Sequence, residues 1–92
     1  SLFFCSASSA TATEYTVQLG SYPTADGANK YVNELLKKDF PAFVIETPVN
    51  GRTWYIVSVG SFKSFKEALT FRSQLLKQLG VVSLVKELKE TR

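Results

Sequence analysis

Two stretches of the chain alternate apolar and polar residues and then switch period at the same point. "YTVQLGSY", Tyr15–Tyr22, and "YIVSVGSF", Tyr55–Phe62, each open on an aromatic, run in steps of two, and close on Gly-Ser-aromatic. Steps of two are the signature of a half-buried strand. Beyond each stretch the apolar residues recur at helical spacing: Ala28, Tyr31 and Leu35 in the first half, Ala68, Phe71, Leu75 and Leu79 in the second. At an offset of forty the two halves share Tyr15/Tyr55, Val17/Val57, Gly20/Gly60, Ser21/Ser61, Ala28/Ala68, Leu35/Leu75, Leu36/Leu76 and Lys37/Lys77. The identities run through the change of period, so the repeat is a strand–helix unit and not a chance match of strands.

Start and stop signals bound these elements. Thr24 or Asp26 can cap the first helix, and Ser64 with Glu67 fits a capping box for the second. The first helix is expected to end before Pro41, and the second at Gly80, which enters the left-handed region freely. "AFVIE" at Ala42–Glu46 and "VVSLVKE" at Val81–Glu87 read as the strands that come next, and Asn50-Gly51 as a hairpin turn between the halves. The order is β-α-β-β-α-β. This predicts an α+β, ferredoxin-like domain: a four-stranded antiparallel sheet with two helices on one face. The other face is then left bare.

Strand phasing says which side chains meet that bare face. Tyr15, Val17 and Leu19 must join the helices, which turns Thr16, Gln18 and Gly20 outward. Tyr55, Val57 and Val59 inward place Trp54, Ile56 and Ser58 beside them. An outward tryptophan next to Ile56 and amide or hydroxyl groups is the kind of surface that binds something. In the second strand either Ala42 and Val44 point inward, sending Phe43 and Ile45 to the open face, or the reverse holds. In the fourth, Val82 and Leu84 inward would expose Ser83 and Val85, and the pattern leaves this phase open as well. Gly20 and Gly60 are expected to end their strands, and Ser21 either lines the rim of the face or bonds its own turn.

Composition narrows the chemistry. Ninety-two residues make one domain, 45% hydrophobic and 21% charged, with a formal net charge of +3. The basic residues are dispersed, as on a solvated surface. Histidine is absent and Cys5 is the single cysteine. That excludes a nucleophile–histidine pair, an intrachain disulfide and a Cys/His zinc site. The carboxylates are scattered, and neither a Walker loop nor a GxGxxG occurs. The expectation is a binding module, not an enzyme, without cofactor or metal. No segment approaches the roughly 20 apolar residues of a membrane span, so no membrane insertion by this domain is expected.

Residues 1–13 are read as a flexible lead and 14–92 as the folded domain. In the lead, Leu2, Phe3 and Phe4 followed by Ala10-Thr11-Ala12 fit the tail of a targeting segment with a small-x-small cleavage site. An unstructured or vector-derived lead fits equally.

"YTVQLGSY", the helix beginning near Ala25–Ala28, and "WYIVSVGSFKSFKEA" together resemble the SPOR (sporulation-related repeat) domain, from about Glu14 to Glu87. The resemblance implies an RNP-like fold that binds bacterial peptidoglycan in the periplasm or another extracytoplasmic part of the cell envelope. It further implies a preference for glycan strands without stem peptides, and direction of a host protein to the division septum. By position, the family's glycan-contacting glutamine matches Gln18, its serine Ser21, and the aromatic entering the third strand Trp54. With the outward neighbours Thr16, Phe43, Ile56 and Ser58, these form the expected glycan-binding set, acting in a monomer. Two rival readings use the same bare face. One is single-stranded nucleic-acid binding in the manner of RNA-recognition motifs, but "WYIVSVGSF" lacks the basic start and paired aromatics of an RNP1 strand, so no nucleic acid is expected. The other is a dimerisation or regulatory module that covers the face with a second copy.

Overall fold

The computed structural model describes residues 13–88. Residues 1–12 of the lead, Cys5 among them, lie outside the described residues. Six elements occur in the expected order: β1 (Glu14–Tyr22), α1 (Ala25–Lys37), β2 (Ala42–Val49), β3 (Arg52–Phe62), α2 (Phe65–Leu79) and β4 (Leu84–Leu88). The strands form one antiparallel sheet in the order β2-β3-β1-β4, so the two strands of the repeat, β1 and β3, are its centre.

Local chemistry explains each boundary. Thr24, not Asp26, caps α1: its hydroxyl accepts from the Gly27 N–H at 3.2 Å. Ser64 does the same for α2, accepting from Glu67 N–H at 3.1 Å. Helix α1 stops before Pro41 is reached, because Asp39 takes φ +69° and the N–H groups of Lys38 and Phe40 turn back to the Leu35 carbonyl. Gly80 closes α2 at φ +70°, its N–H bonded to the Leu76 carbonyl. Asn50 (φ +52°) and Gly51 (φ +79°) together make a type I′ turn, whose twist suits the β2–β3 hairpin. Pro48, which cannot donate to a ladder, is tolerated because β2 is an edge strand.

Both helices cover one face. Ala28, Val32 and Leu35 of α1 pack with Val57 and Val59, while Ala68 and Leu75 of α2 pack with Val17. Leu19, Phe40, Phe71 and Leu79 touch both groups and join them into one core. The matched pairs Ala28/Ala68 and Leu35/Leu75 are all buried. Alanine at the crossing lets each helix approach the sheet closely, and leucine fills the space a turn or two along. Of the shared residues, Val17/Val57, Ala28/Ala68 and Leu35/Leu75 belong to the core, whereas Leu36/Leu76 are exposed.

Neither Gly20 nor Gly60 ends its strand, contrary to the sequence reading. Both sit inside one, each at a slip in the β1–β3 register. Between Tyr15↔Phe62 and Val17↔Val59, β3 spends Gly60 and Ser61 opposite the single Thr16. Gly60 has φ +78°, and a Cβ there would lie 2.7 Å from the Phe62 ring. Between Gln18↔Ser58 and Gly20↔Val57, β1 carries Leu19 as the extra residue. These are β-bulges, the device by which a strand re-aims its side chains.

Gly60→Ala should therefore destabilise the domain more than Gly80→Ala. At Gly80 an added Cβ meets nothing within 4 Å, and only the backbone preference of about 1–2 kcal/mol is lost. At Gly60 the same loss is joined by a clash with Phe62. Urea denaturation of the two variants checks the order; equal midpoints would contradict it.

Candidate functional site

Cross-strand partners in an antiparallel sheet share a face, so the register lays out the uncovered side in rows. The first row is Phe43 (β2), Ser58 (β3), Gln18 (β1) and Leu84 (β4). Ile45, Ile56 and Ser21 form the second, and Thr47 with Trp54 the third. Ala42 and Val44 pack on the core, which settles the open choice for β2: Phe43 and Ile45 face away from the helices.

The bulge at Leu19 is what brings Ser21 into the second row. Unbroken alternation from Gln18 would send Gly20 outward and Ser21 toward the helices. With Leu19 as an extra residue, Gly20 instead pairs with Val57, and Ser21 with Ile56. Gln18 and Ser21, three apart, thus share a face. Glycine inside an alternating strand was the signal available in the sequence, since a glycine there often marks a bulge.

Beside these residues lies a cleft of about 190 Å³, lined by Gln18, Leu19, Gly20, Ser21, Ile56, Val82, Ser83 and Leu84. Three of the expected site residues, Gln18, Ser21 and Ile56, meet there. Trp54, one row further along β3, and Phe43, across Ser58 from Gln18, do not line it. Thr16 and Ser58 depart further from expectation. Register places both on the side away from the helices, yet both are fully buried and present nothing to a ligand. Thr16 is used internally, its hydroxyl donating to the Gly60 carbonyl at 2.7 Å, within the β3 bulge. Ser58 is a small side chain at the centre of the first row, between the larger Phe43 and Gln18, and its hydroxyl has no partner among the described residues.

Trp54 is half-buried, less open than an isolated surface indole. Thr47 is its cross-strand neighbour, and the Arg52 guanidinium carbon lies 5.8 Å from the ring centroid, within cation–π range. With the guanidinium over its ring, Trp54 still belongs to the third row.

The fourth strand corrects the sequence reading. It begins at Leu84, not Val81, and its phase, left open by the pattern, is the reverse of the one with Val82 and Leu84 inward. Val85 joins the core beside Val17, whereas Val82 is 73% and Leu84 59% exposed. Ser83 is buried, not outward. "VVSLV" contains no polar alternation that could have fixed the phase. Pairing with β1 decides it, because Val85 opposite Val17 is the register that completes the core. Val82, Ser83 and Leu84, with Leu19 and Gly20, are the cleft residues outside the expected set.

The cleft combines an amide (Gln18) and a hydroxyl (Ser21) with apolar walls (Ile56, Val82, Leu84), and no ionisable side chain lines it. Such a surface suits a neutral ligand that has apolar faces and a polar rim. Among the described residues there is no group of three His, Cys, Asp or Glu side chains that could hold a metal ion. No helix among them is long and apolar enough to cross a membrane.

Gln18→Ala should leave the denaturation midpoint nearly unchanged, since the side chain lies on the uncovered face. Its neighbour Val17→Ala should cost roughly 1–3 kcal/mol by opening a cavity between β1 and α2. Unfolding of the Gln18 variant would contradict the strand's phase.

Comparison with known proteins agrees with this architecture. The solution structure of the peptidoglycan-binding domain of the B. subtilis cell wall lytic enzyme CwlC superposes with a TM-score of 0.65 at 24% identity, covering 86% of this chain and 94% of that one. The Spor protein DedD superposes with a TM-score of 0.64 at 26% identity, covering 86% of this chain and 41% of that one. No curated protein sequence matches the chain. The SPOR domain family matches residues 11–86, which is nearly the whole described fold, and the chain belongs to that family.

Proposed function

We propose that this domain is a non-catalytic module that binds peptidoglycan through its uncovered sheet face, taking glycan strands that lack stem peptides. The observation that carries the reading is the bulged arrangement of Gln18 and Ser21 beside Ile56 at a cleft with apolar walls. A hexose ring has apolar faces and a rim of hydroxyl and acetamide groups. Ile56, Val82 and Leu84 can cover a face while Gln18 and Ser21 hydrogen-bond the rim. Trp54, in the third row, and Phe43, across Ser58 from Gln18 in the first, extend the contact to neighbouring sugars, since a stacked aromatic covers a ring face well. Thr16 and Ser58 support the face from within and make no sugar contact.

Family membership and the likeness to a peptidoglycan-binding domain support the ligand class. Preference for stripped strands follows from shape. A shallow face seats sugar rings only if nothing bulky projects from them, and stem peptides would crowd it. Stripped strands accumulate where amidases work at the division septum, so binding them would direct a host protein to that part of the cell envelope. Oligomeric state enters this reading as a monomer, because a second copy on the open face would cover the cleft.

Co-sedimentation with purified sacculi, before and after amidase digestion, tests this reading. Pelleting should rise after digestion; equal or weaker pelleting would refute the preference for stripped strands, and no pelleting at all would refute peptidoglycan binding.

Trp54 provides an independent check, being the only tryptophan. In the free protein, acrylamide should quench it to an intermediate degree, as its half-buried position requires. Stripped glycan should lower that quenching and shift emission to the blue. Trp54→Ala should lose about 2 kcal/mol of binding with a native circular dichroism spectrum. A fluorescence signal indifferent to bound glycan would remove Trp54 from the site.

A further inference from the structure

The segment before β4 separates two concavities. On the uncovered face is the cleft beside Gln18 and Ser21. Against α2 is a second cleft of about 150 Å³, lined by Arg72, Ser73, Leu76, Val81, Val82 and Ser83. Val82 and Ser83 line both, so the two are adjacent across two residues of backbone. The bridge is fixed from below: Arg72 Nε donates to the Ser83 carbonyl at 2.8 Å. That bond uses one of the guanidinium's five N–H donors and leaves its two terminal nitrogens, with a full positive charge, at the second cleft. Ser83 is otherwise buried, and Val82 stands up between the clefts as an apolar ridge.

We infer that Arg72 recognises the carboxylate that stem-peptide removal uncovers on the glycan, so that the domain reads the chemical product of amidase action and not merely the absence of bulk. The inference rests on the proposed binding of stripped strands in the first cleft. In intact peptidoglycan the lactyl group of each N-acetylmuramic acid is tied to the stem through a neutral amide. Cleaving that amide leaves a lactyl carboxylate on the sugar. A sugar seated against Gln18, Ser21 and Ile56 has this appendage as a short arm that can pass over Val82 into the second cleft, where the guanidinium is a forked donor matched to a carboxylate. Neither the amide nor a sugar without the lactyl arm offers that partner. The neutral first cleft supplies the contact with the ring, and Arg72 supplies the discrimination. Because Arg72 is exposed, the gain is modest, about five-fold per site.

The test separates charge from bulk on the ligand side, with variants of Arg72 as controls. Muramic-acid-containing tetrasaccharides from amidase-treated strands are compared with the same oligosaccharides converted to lactyl methylamides, using the full 92-residue chain and titration calorimetry. The methylamide restores the neutral amide without the stem. Wild type should bind the carboxylate form about five-fold more tightly. Arg72→Gln should bind both forms alike, with an affinity for the methylamide equal to that of wild type, and Arg72→Lys should retain part of the preference. Wild type binding both forms equally would overturn the role of Arg72 while leaving glycan binding intact. So would an Arg72→Gln variant that keeps the preference. Failure of wild type to bind either form would overturn the glycan reading and this inference with it.

Discussion

Pairing of β1 with β3 is the constraint on which the other parts depend. These are the two central strands, and each supplies core valines to its own helix: Val17 to α2, Val57 and Val59 to α1. A uniform ladder between them would have held every side chain in strict alternation. Two one-residue slips break it, and they do different things. The slip at Gly60 draws the Thr16 hydroxyl into the ladder and carries β3 on toward Phe62, which packs in the core beside Phe71. At Leu19 the slip leaves the leucine in the core while releasing Ser21 to the opposite face. One inserted residue thereby satisfies packing on one side of the sheet and composition on the other.

Division of labour between the faces follows from the same repeat. The identical pairs Val17/Val57, Ala28/Ala68 and Leu35/Leu75 are buried. Three pairs at which the halves differ lie on the uncovered side: Gln18 against Ser58, Thr16 against Ile56, Glu14 against Trp54. Repetition maintains a helix-on-sheet layer that works in two places, while the free face is not bound by the internal symmetry. Gln18 reaches a cleft and Ser58, its partner across the ladder, is sealed beneath its neighbours.

Much of this was legible in the residues because it rests on local chemistry. Threonine and serine caps, Asn-Gly in a hairpin, and a change from alternation to helical spacing each act over a few residues and are visible without a fold. Gln18, Ile56 and the outward phase of β3 follow from alternation alone. The remainder depends on contacts between distant segments. Thr16 and Ser58 alternate correctly but are buried by their surroundings, which no single strand pattern encodes. Ser21 required the Leu19 bulge, whose trace in the sequence is a glycine that also fits a strand end. The phase of β4 required Val17, because five apolar or small residues in a row look alike until one of them must complete a core.

Glu14, at the start of β1, pairs with Leu88, at the end of β4, so the chain enters and leaves the sheet side by side. The opposite end of the same central strand is where Ser21 faces Ile56 and Tyr22 faces Tyr55, one residue from Trp54. Whatever is joined to the domain at either terminus is thus tethered at the far end from these residues, with the Asn50-Gly51 hairpin pointing outward beyond them. The sheet then acts as an extended arm whose attachment and contact surfaces lie about a strand's length apart, so a linker on either side need not cross the face that meets the ligand.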